Sequence, residues 1–367
     1  MARRRILTTT ALSASLLVTV AACGGNSNNT ASGGSSSGGS SASTPAGTIG
    51  VILPDTVSSP RWESQDRPAL EAAFKKAGVK YNIQNAQGDA QKMQTIAQQM
   101  ETSGVTVLAI VNLDNASGAA IEKQAKTQGV KTLDYDRLTL GGSADYYVSF
   151  DNTKVGQLQG QGLTTCLGEG TKANVAYLDG SPDDNNATLF SKGAHSVLDK
   201  NTNYTKVAEQ AVPKWDPTQA ATIFQQMYTQ TGGKIDGVLA ANDTLANAAI
   251  TTLKGNQRKL PVTGQDASVQ GLQNILSGDQ CMTVYKPAQQ EAGKLAGAAV
   301  ALLKGSKVET NGTSQDTEGN RTVASVLLDP ISITKDNVKR VIDDGSQKAS
   351  DVCTGNYASL CQQAGIS

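Results

Sequence analysis

Asp136 and Arg137 stand side by side in KTLDYDRLTLGGSADYYVSFDN, the stretch from Lys131 to Asn152, where a short apolar run gives way to charge. An adjacent carboxylate and guanidinium accept from and donate to the hydroxyls of one small polar ligand. At a protein surface the same pair is a weak ion pair. Similar residues follow the other apolar runs: Asp55, Arg61 and Trp62; Asp179, Asp183, Asp184, Asn185 and Asn186; Trp215; Asn242 and Asp243; Gln265 and Asp266; and Lys286. Both tryptophans of a chain with 4% aromatics lie among them, and a flat indole stacks on the C–H face of a sugar ring. Polar groups around and aromatics above and below are what a polyhydroxylated ring requires. Each residue also has a plainer role: Asp184, Asp216 and Asp243 suit helix N-caps equally well, and Trp62 suits a core position. The signal is their shared placement after strands, where the loops of an open α/β sheet converge on ligands.

Enzyme constellations mostly fail. His195 is the only histidine and lies mid-helix with no nucleophile pattern beside it, so it reads as a solvated helix residue. No H-E-x-x-H, phosphate-binding loop or strand-linked G-x-G-x-x-G occurs, since Gly156, Gly160 and Gly162 have the wrong spacing. Neither cofactor nor metal is expected. A secreted glycoside hydrolase using Asp136, Asp184 and Asp266 is the alternative. Against it, Arg137 and Lys286 are expected to hold those acids ionised, which suits hydrogen bonding better than general-acid work. Lys+Arg and Asp+Glu number 32 each, so no net field attracts nucleic acid.

The elements that must carry these residues alternate. TIGVIL (48 to 53) reads as a buried parallel strand, and residues 62 to 77 show helical spacing ended by Gly78. Strands at 79–84, 105–111 and 130–134 then alternate with helices at 89–103 and 116–128. A second series has helices at 152–167, 185–199, 217–230, 243–253 and 268–276, with strands at 173–178, 205–211, 235–240, 260–264 and 281–285. Helix 287–303, a polar loop, strand 322–328 and helix 334–343 close the pattern. Such alternation predicts an α/β fold of two doubly wound parallel-sheet domains, a division that about 320 residues also favour.

The N-terminus has Arg3, Arg4 and Arg5, then an apolar run from Ile6 to Val20, then Ala21, Ala22 and Cys23. That is the layout of a secretory signal, too short for a stable span. Its ending resembles the lipobox of bacterial lipoproteins, which implies that Cys23 is lipidated and anchors the chain to the outer face of the cytoplasmic membrane. Residues 24 to 47 are almost wholly Gly, Ser, Asn, Ala and Thr, a flexible tether spanning roughly 25 to 30 Å. Export allows the later cysteines to pair. Cys353 with Cys361 and Cys166 with Cys281 is one arrangement, but sequence leaves all three connectivities open.

The segments RWESQDR (61 to 67), DYDR (134 to 137), YYVSFDNTKVG (146 to 156), DGSPDDNNATLF (179 to 190), ANDTLA (241 to 246), GQDA (264 to 267) and TVYKP (283 to 287) resemble the periplasmic-type sugar-binding proteins of ABC transporters, and the xylose binders among them most closely. The resemblance covers residues 48 to 343. It implies a venus-flytrap fold with three crossing segments near 148–152, 283–287 and 327–331. One lobe would comprise 48–149 plus 286–328, the other 150–285 plus 329–367. It further implies that Arg61, Arg137, Asp184, Asn186, Asn242, Asp266 and Lys286 hydrogen-bond a pentose, that Trp62 and Trp215 stack on it, and that Asp136 lines the same pocket. The stretch VILPDTVSSP around Asp55, the loop before Trp215, the cysteines and the tail after Asp344 depart from the family pattern. The implied partners are the sugar and an ABC permease, with a sensor as the other destination, for a chain expected to be a monomer.

Overall fold

A computed structural model describes residues 47 to 366; the signal, Cys23 and nearly all of the tether lie outside them. The first half of the fold runs β1 (Thr48–Leu53), a π-helical turn (Trp62–Asp66), α1 (Arg67–Ala77), β2 (Lys80–Asn85), α2 (Ala90–Thr102), β3 (Val105–Ile110), α3 (Asn115–Thr127), β4 (Lys131–Tyr135) and β5 (Tyr146–Phe150). Then come α4 (Asn152–Leu167), β6 (Ala173–Asp179), α5 (Asn185–Leu198), β7 (Tyr204–Ala211), α6 (Pro217–Gln230), β8 (Gly237–Ala240), α7 (Asp243–Gly255), α8 (Val269–Ser277) and β9 (Thr283–Tyr285). The chain ends with α9 (Ala288–Leu303), β10 (Gly312–Asp316), β11 (Arg321–Leu328), β12 (Ile331–Ile333), α10 (Lys339–Asp343), α11 (Ala349–Val352) and α12 (Ala358–Gln363).

One lobe is built on a seven-stranded sheet in the order β10-β11-β5-β4-β3-β1-β2, parallel except for the β10–β11 hairpin. Its strands bury both faces. Ile49, Val51 and Leu53 pack toward α1 and α9, whereas Ile52, Leu108 and Ile110 pack toward α2 and α3. The other lobe holds the parallel sheet β7-β6-β8 and the antiparallel pair β12-β9, joined through bridges from Val262 to Val238 and from Gln265 to Val284. The chain crosses between lobes three times: from β5 to α4, from β9 to α9, and from β11 to β12.

Three expected elements differ. Residues 260 to 264 make only isolated bridges, because Pro261 has no N–H to donate and the chain turns at once into positive φ at Asp266 and Ala267. The polar loop after α9 contains β10, whose exposed residues hid a strand held by its ladder with β11. Of the helix expected over 334–343 only Lys339–Asp343 forms; Asn337 Oδ1 accepts the N–H of Thr334 at 2.8 Å and holds a turn there instead. Cys166 is bonded to Cys281 and Cys353 to Cys361. The C-terminal helices pack on α8 through Leu272, Leu276, Val352 and Cys361. No helix among the described residues is long and apolar enough to cross a membrane.

Candidate ligand-binding site

Each residue of interest is delivered by the end of an element. Asp136, the first residue after β4, has φ of 60°, a left-handed conformation that turns the chain sharply as it leaves the sheet. Its N–H donates to Val148 O at 2.9 Å. Asp184 caps α5, accepting from Asn186 N at 2.9 Å, and is also paired with Arg137 Nε at 3.0 Å; capping and contact coincide in one residue. Asn242 caps α7 through Leu245 N and donates from Nδ2 to Ser58 O across the cleft at 3.0 Å. Asp243 is therefore the first residue of α7 and not its cap; buried Ser268, Gln280 and Thr283 hold it in place. Trp215 sits in a loop where Lys214 and Trp215 both have φ of 56°. Its ring lies against Gly180, where a Cβ would come within 2.1 Å of it.

These ends converge. One cavity is lined by Arg61, Trp62, Asp136, Arg137, Asp184, Asn186, Trp215, Asn242, Asp266 and Lys286, together with Ser58, Ser59, Phe190 and Gln265. These side chains leave little room between them, because several pair directly across the cleft, Arg137 with Asp184 among them. Its walls come from both lobes, which also touch directly: Ser59 Oγ donates to Asp266 Oδ2 at 2.7 Å. Lys286, on the second crossing segment, reaches Asp136 Oδ2 at 3.2 Å. Asp55, Asp183 and Asp216 instead line a wider groove at the outer side of the cleft. Asp179 faces Glu209 and His195 away from it, where burial and the Glu209 charge push its carboxyl up to about 7.

The electrostatics centre on Arg61. Its Nε and Nη2 donate to the two oxygens of Asp66 at 2.8 and 2.7 Å, Nη2 also to Glu291 Oε2 at 2.7 Å, and Nη1 to Asp136 Oδ2 at 3.0 Å. Tyr135 Oη donates to Asp66 at 2.7 Å. Burial alone would raise Asp136, but Lys286, Arg61 and Arg137 outweigh it and bring the carboxyl to about 2. A group so acidic is a fixed hydrogen-bond acceptor, not a general acid. Glu291 is pushed up to about 8 by burial and by Asp136. Asp184 is shifted the other way: burial raises its carboxyl although Arg137 opposes the shift.

Trp62 resolves its two readings by doing both. It belongs to the core beneath α1 and α9 and also lines the cavity, with Nε1 donating to Ser58 Oγ at 3.0 Å and the Arg61 guanidinium 4.7 Å from its ring. Phe190 meets Trp215 edge-on at 6.4 Å. Ser58, Ser59, Gln265, Phe190 and the ring of Asp66, Tyr135 and Glu291 behind Arg61 were not foreseen; for Ser58 and Ser59 the departure of VILPDTVSSP from the family pattern was the available signal. His195 is part exposed, with 21% of its side chain accessible. It stacks on Tyr177 with centroids 4.7 Å apart, and its ring nitrogens contact Asp199 and Glu209 at 2.9 and 2.8 Å.

Residues 49 to 307 match the family model described as a periplasmic binding protein domain. The chain belongs to the periplasmic binding protein family. The D-xylose-binding periplasmic protein of Escherichia coli is 36% identical over 304 residues, 81% of this chain and 90% of that protein. The multiple sugar-binding periplasmic receptor ChvE of Rhizobium radiobacter is 32% identical, covering 83% and 92% of the two chains. Among solved structures, a carbohydrate transporter solute-binding protein of Chloroflexus aurantiacus in complex with D-glucose superposes with a TM-score of 0.76 at 29% identity, covering 83% of this chain and 97% of that one. As a periplasmic binding protein the chain is a solute-binding protein of an exported family and not an enzyme.

Proposed function

We propose that this protein captures one monosaccharide, D-xylose in the first instance, between its two lobes and presents the closed form to an ABC permease. The observation that carries the reading is the lining of one interlobe cavity by three cationic side chains, three carboxylates, three carboxamides and both tryptophans. Donors and acceptors of that kind match a ring of hydroxyls, and indole faces match its C–H surfaces. The identity to D-xylose-binding relatives supports the choice of pentose; D-glucose in a structural relative makes hexoses the comparison to run.

Arg61, Arg137 and Trp62 hold the sugar from the lobe formed by 48–149 and 286–328, and Asp184, Asn186, Trp215, Asn242 and Asp266 from that formed by 150–285 and 329–367. Asp136 and Lys286 complete the set beside the crossing segments. Only the closed form makes both groups of contacts, so the ligand stabilises closure. Lipidation at Cys23 would keep a monomer near its permease at the outer face of the membrane. The receptor relative favours a second destination, a sensor reading the same closed form.

Trp62 and Trp215 are the chain's two tryptophans and both line the cavity, so their fluorescence reports occupancy directly. Titration with D-xylose, ribose, arabinose, glucose and galactose is expected to give a saturable change, tightest for xylose. No response to any of them would contradict the proposal.

A further inference from the structure

The carbonyl oxygen of Asp136 is the centre of a buried network set behind the cavity. It accepts from Tyr147 Oη at 2.7 Å, Ser149 Oγ at 2.7 Å and Asn186 Nδ2 at 2.8 Å. Tyr147 and Ser149 lie on β5 in one lobe, and Asn186 lies in the first turn of α5 in the other. Asn152, which opens α4 directly after the first crossing, has Nδ2 2.8 Å from Asn186 Oδ1, 3.1 Å from Tyr147 Oη and 3.3 Å from Ser149 Oγ, three acceptors that share its two hydrogens, and Tyr147 Oη also lies 3.2 Å from Asn186 Oδ1. Tyr147, Ser149 and Asn152 are buried but do not line the cavity. The Asn186 amide is engaged from both ends: Nδ2 also faces Asp136 Oδ1 at 3.3 Å, and Oδ1 accepts from Asn152.

We propose that Asn152 is a positioning residue and that Asn152, Asn186 and the Asp136 carbonyl form an interlobe latch that slows ligand release. Asn152 fixes the Asn186 amide so that its N–H groups, and not its oxygen, face Asp136. Asn152 is only three residues from Ser149, next to the pivot, so those contacts change little when the lobes part. Asn186 travels with the second lobe and must give up its bond to the Asp136 carbonyl. Breaking a buried hydrogen bond as the cleft opens raises the barrier to opening, which shows in dissociation rather than association. The inference rests on the cleft being a monosaccharide site.

The test is stopped-flow tryptophan fluorescence on the full chain with D-xylose, or with D-glucose if that is the sugar the wild type holds, comparing wild type, Asn152→Ala and Tyr147→Phe. The latch predicts release about ten-fold faster in Asn152→Ala, with association within about two-fold of wild type, whatever the change in melting temperature. Tyr147→Phe, which keeps the ring and loses the hydroxyl, shifts the same rate in the same direction by less. A wild type that holds neither of these sugars nor any other sugar of the panel defeats the site reading itself. A wild type that binds, with release unaltered in whichever variant folds, overturns the latch. So does a parallel change in both rates with a lowered melting temperature, the result of general loosening.

Discussion

At Arg61, three carboxylates and one lysine surround a single buried guanidinium. Asp66, Asp136 and Glu291 all pair with Arg61, and burial together with the Asp136 charge favours the protonated form of Glu291. With its carboxyl raised to about 8, the folded protein holds a proton that the unfolded chain releases near 4.5. Glu291 therefore makes stability fall as pH rises from about 4.5 to about 8. Asp136, lowered to about 2, acts in the opposite sense: its contribution is present above about 3.8 and is lost as pH falls toward about 2. Urea unfolding between about pH 5 and about pH 9 should show the decline, and Glu291→Gln should flatten it. Asp243 and Asp179, both raised to about 7, keep part of the slope. An unchanged slope in Glu291→Gln would exclude that assignment. Arg137→Ala takes a donor from Asn112 O and leaves Asp184 Oδ2 with Trp215 Nε1 alone, and it should weaken sugar binding by about ten-fold or more, from roughly 1–3 kcal/mol for a buried group left unpaired; a titration with near-normal affinity would remove Arg137 from the site. Asp136 and Arg137 were legible because they follow a strand directly. Tyr135 and Glu291 were not, since they reach the Arg61–Asp66 pair from separate stretches, Tyr135 through Asp66 and Glu291 through Arg61.

Among the elements, α4 and α5 decide how the second lobe presents Asp184 and Asn186. The glycines that fail as a nucleotide fingerprint have a packing role: a Cβ on Gly156 would fall 1.9 Å from Phe190 O, and one on Gly193 would fall 2.1 Å from Thr153 O. The two helices meet backbone to backbone there. Gly156→Ala should cost about 1–3 kcal/mol by overpacking, and sugar affinity should drop with it because α5 carries site residues at its first turn. Thermal melts and titration of the same variant check both; a variant with wild-type stability would show that the helices separate freely. The disulfides differ in reach, spanning 115 and 8 residues. Loop closure gives about 5 kcal/mol for the first and about 2.5 kcal/mol for the second, so the pair Cys166→Ser and Cys281→Ser should lose more stability in urea than Cys353→Ser and Cys361→Ser. Helices with an Asp or Asn cap and apolar spacing were readable to within a residue or two. β10 and the C-terminal helices were not: the first is polar and held by its neighbour, and the second are short turns tied by a disulfide and by apolar contact with α8.

For the whole molecule, alternation of strand and helix was enough to set the α/β class, while the threefold crossing between lobes came from family resemblance and not from periodicity. Sheet order explains why: β11, near the end of the chain, pairs with β5 from its middle, a long-range contact that no local pattern encodes. Lys154 Nζ lies 2.6 Å from Asp329 Oδ1 and joins the first crossing to the third. Saturating sugar should lower the radius of gyration in small-angle scattering by shifting the population toward closed forms; an unchanged value would exclude ligand-stabilised closure. The claim on which the rest depends is that the interlobe cavity holds one sugar. Isothermal titration of the chain with D-xylose tests it most directly. Saturable binding at one sugar per chain that Arg137→Ala greatly weakens is expected, whereas the absence of heat with xylose and with every other sugar of the panel would contradict a sugar site there.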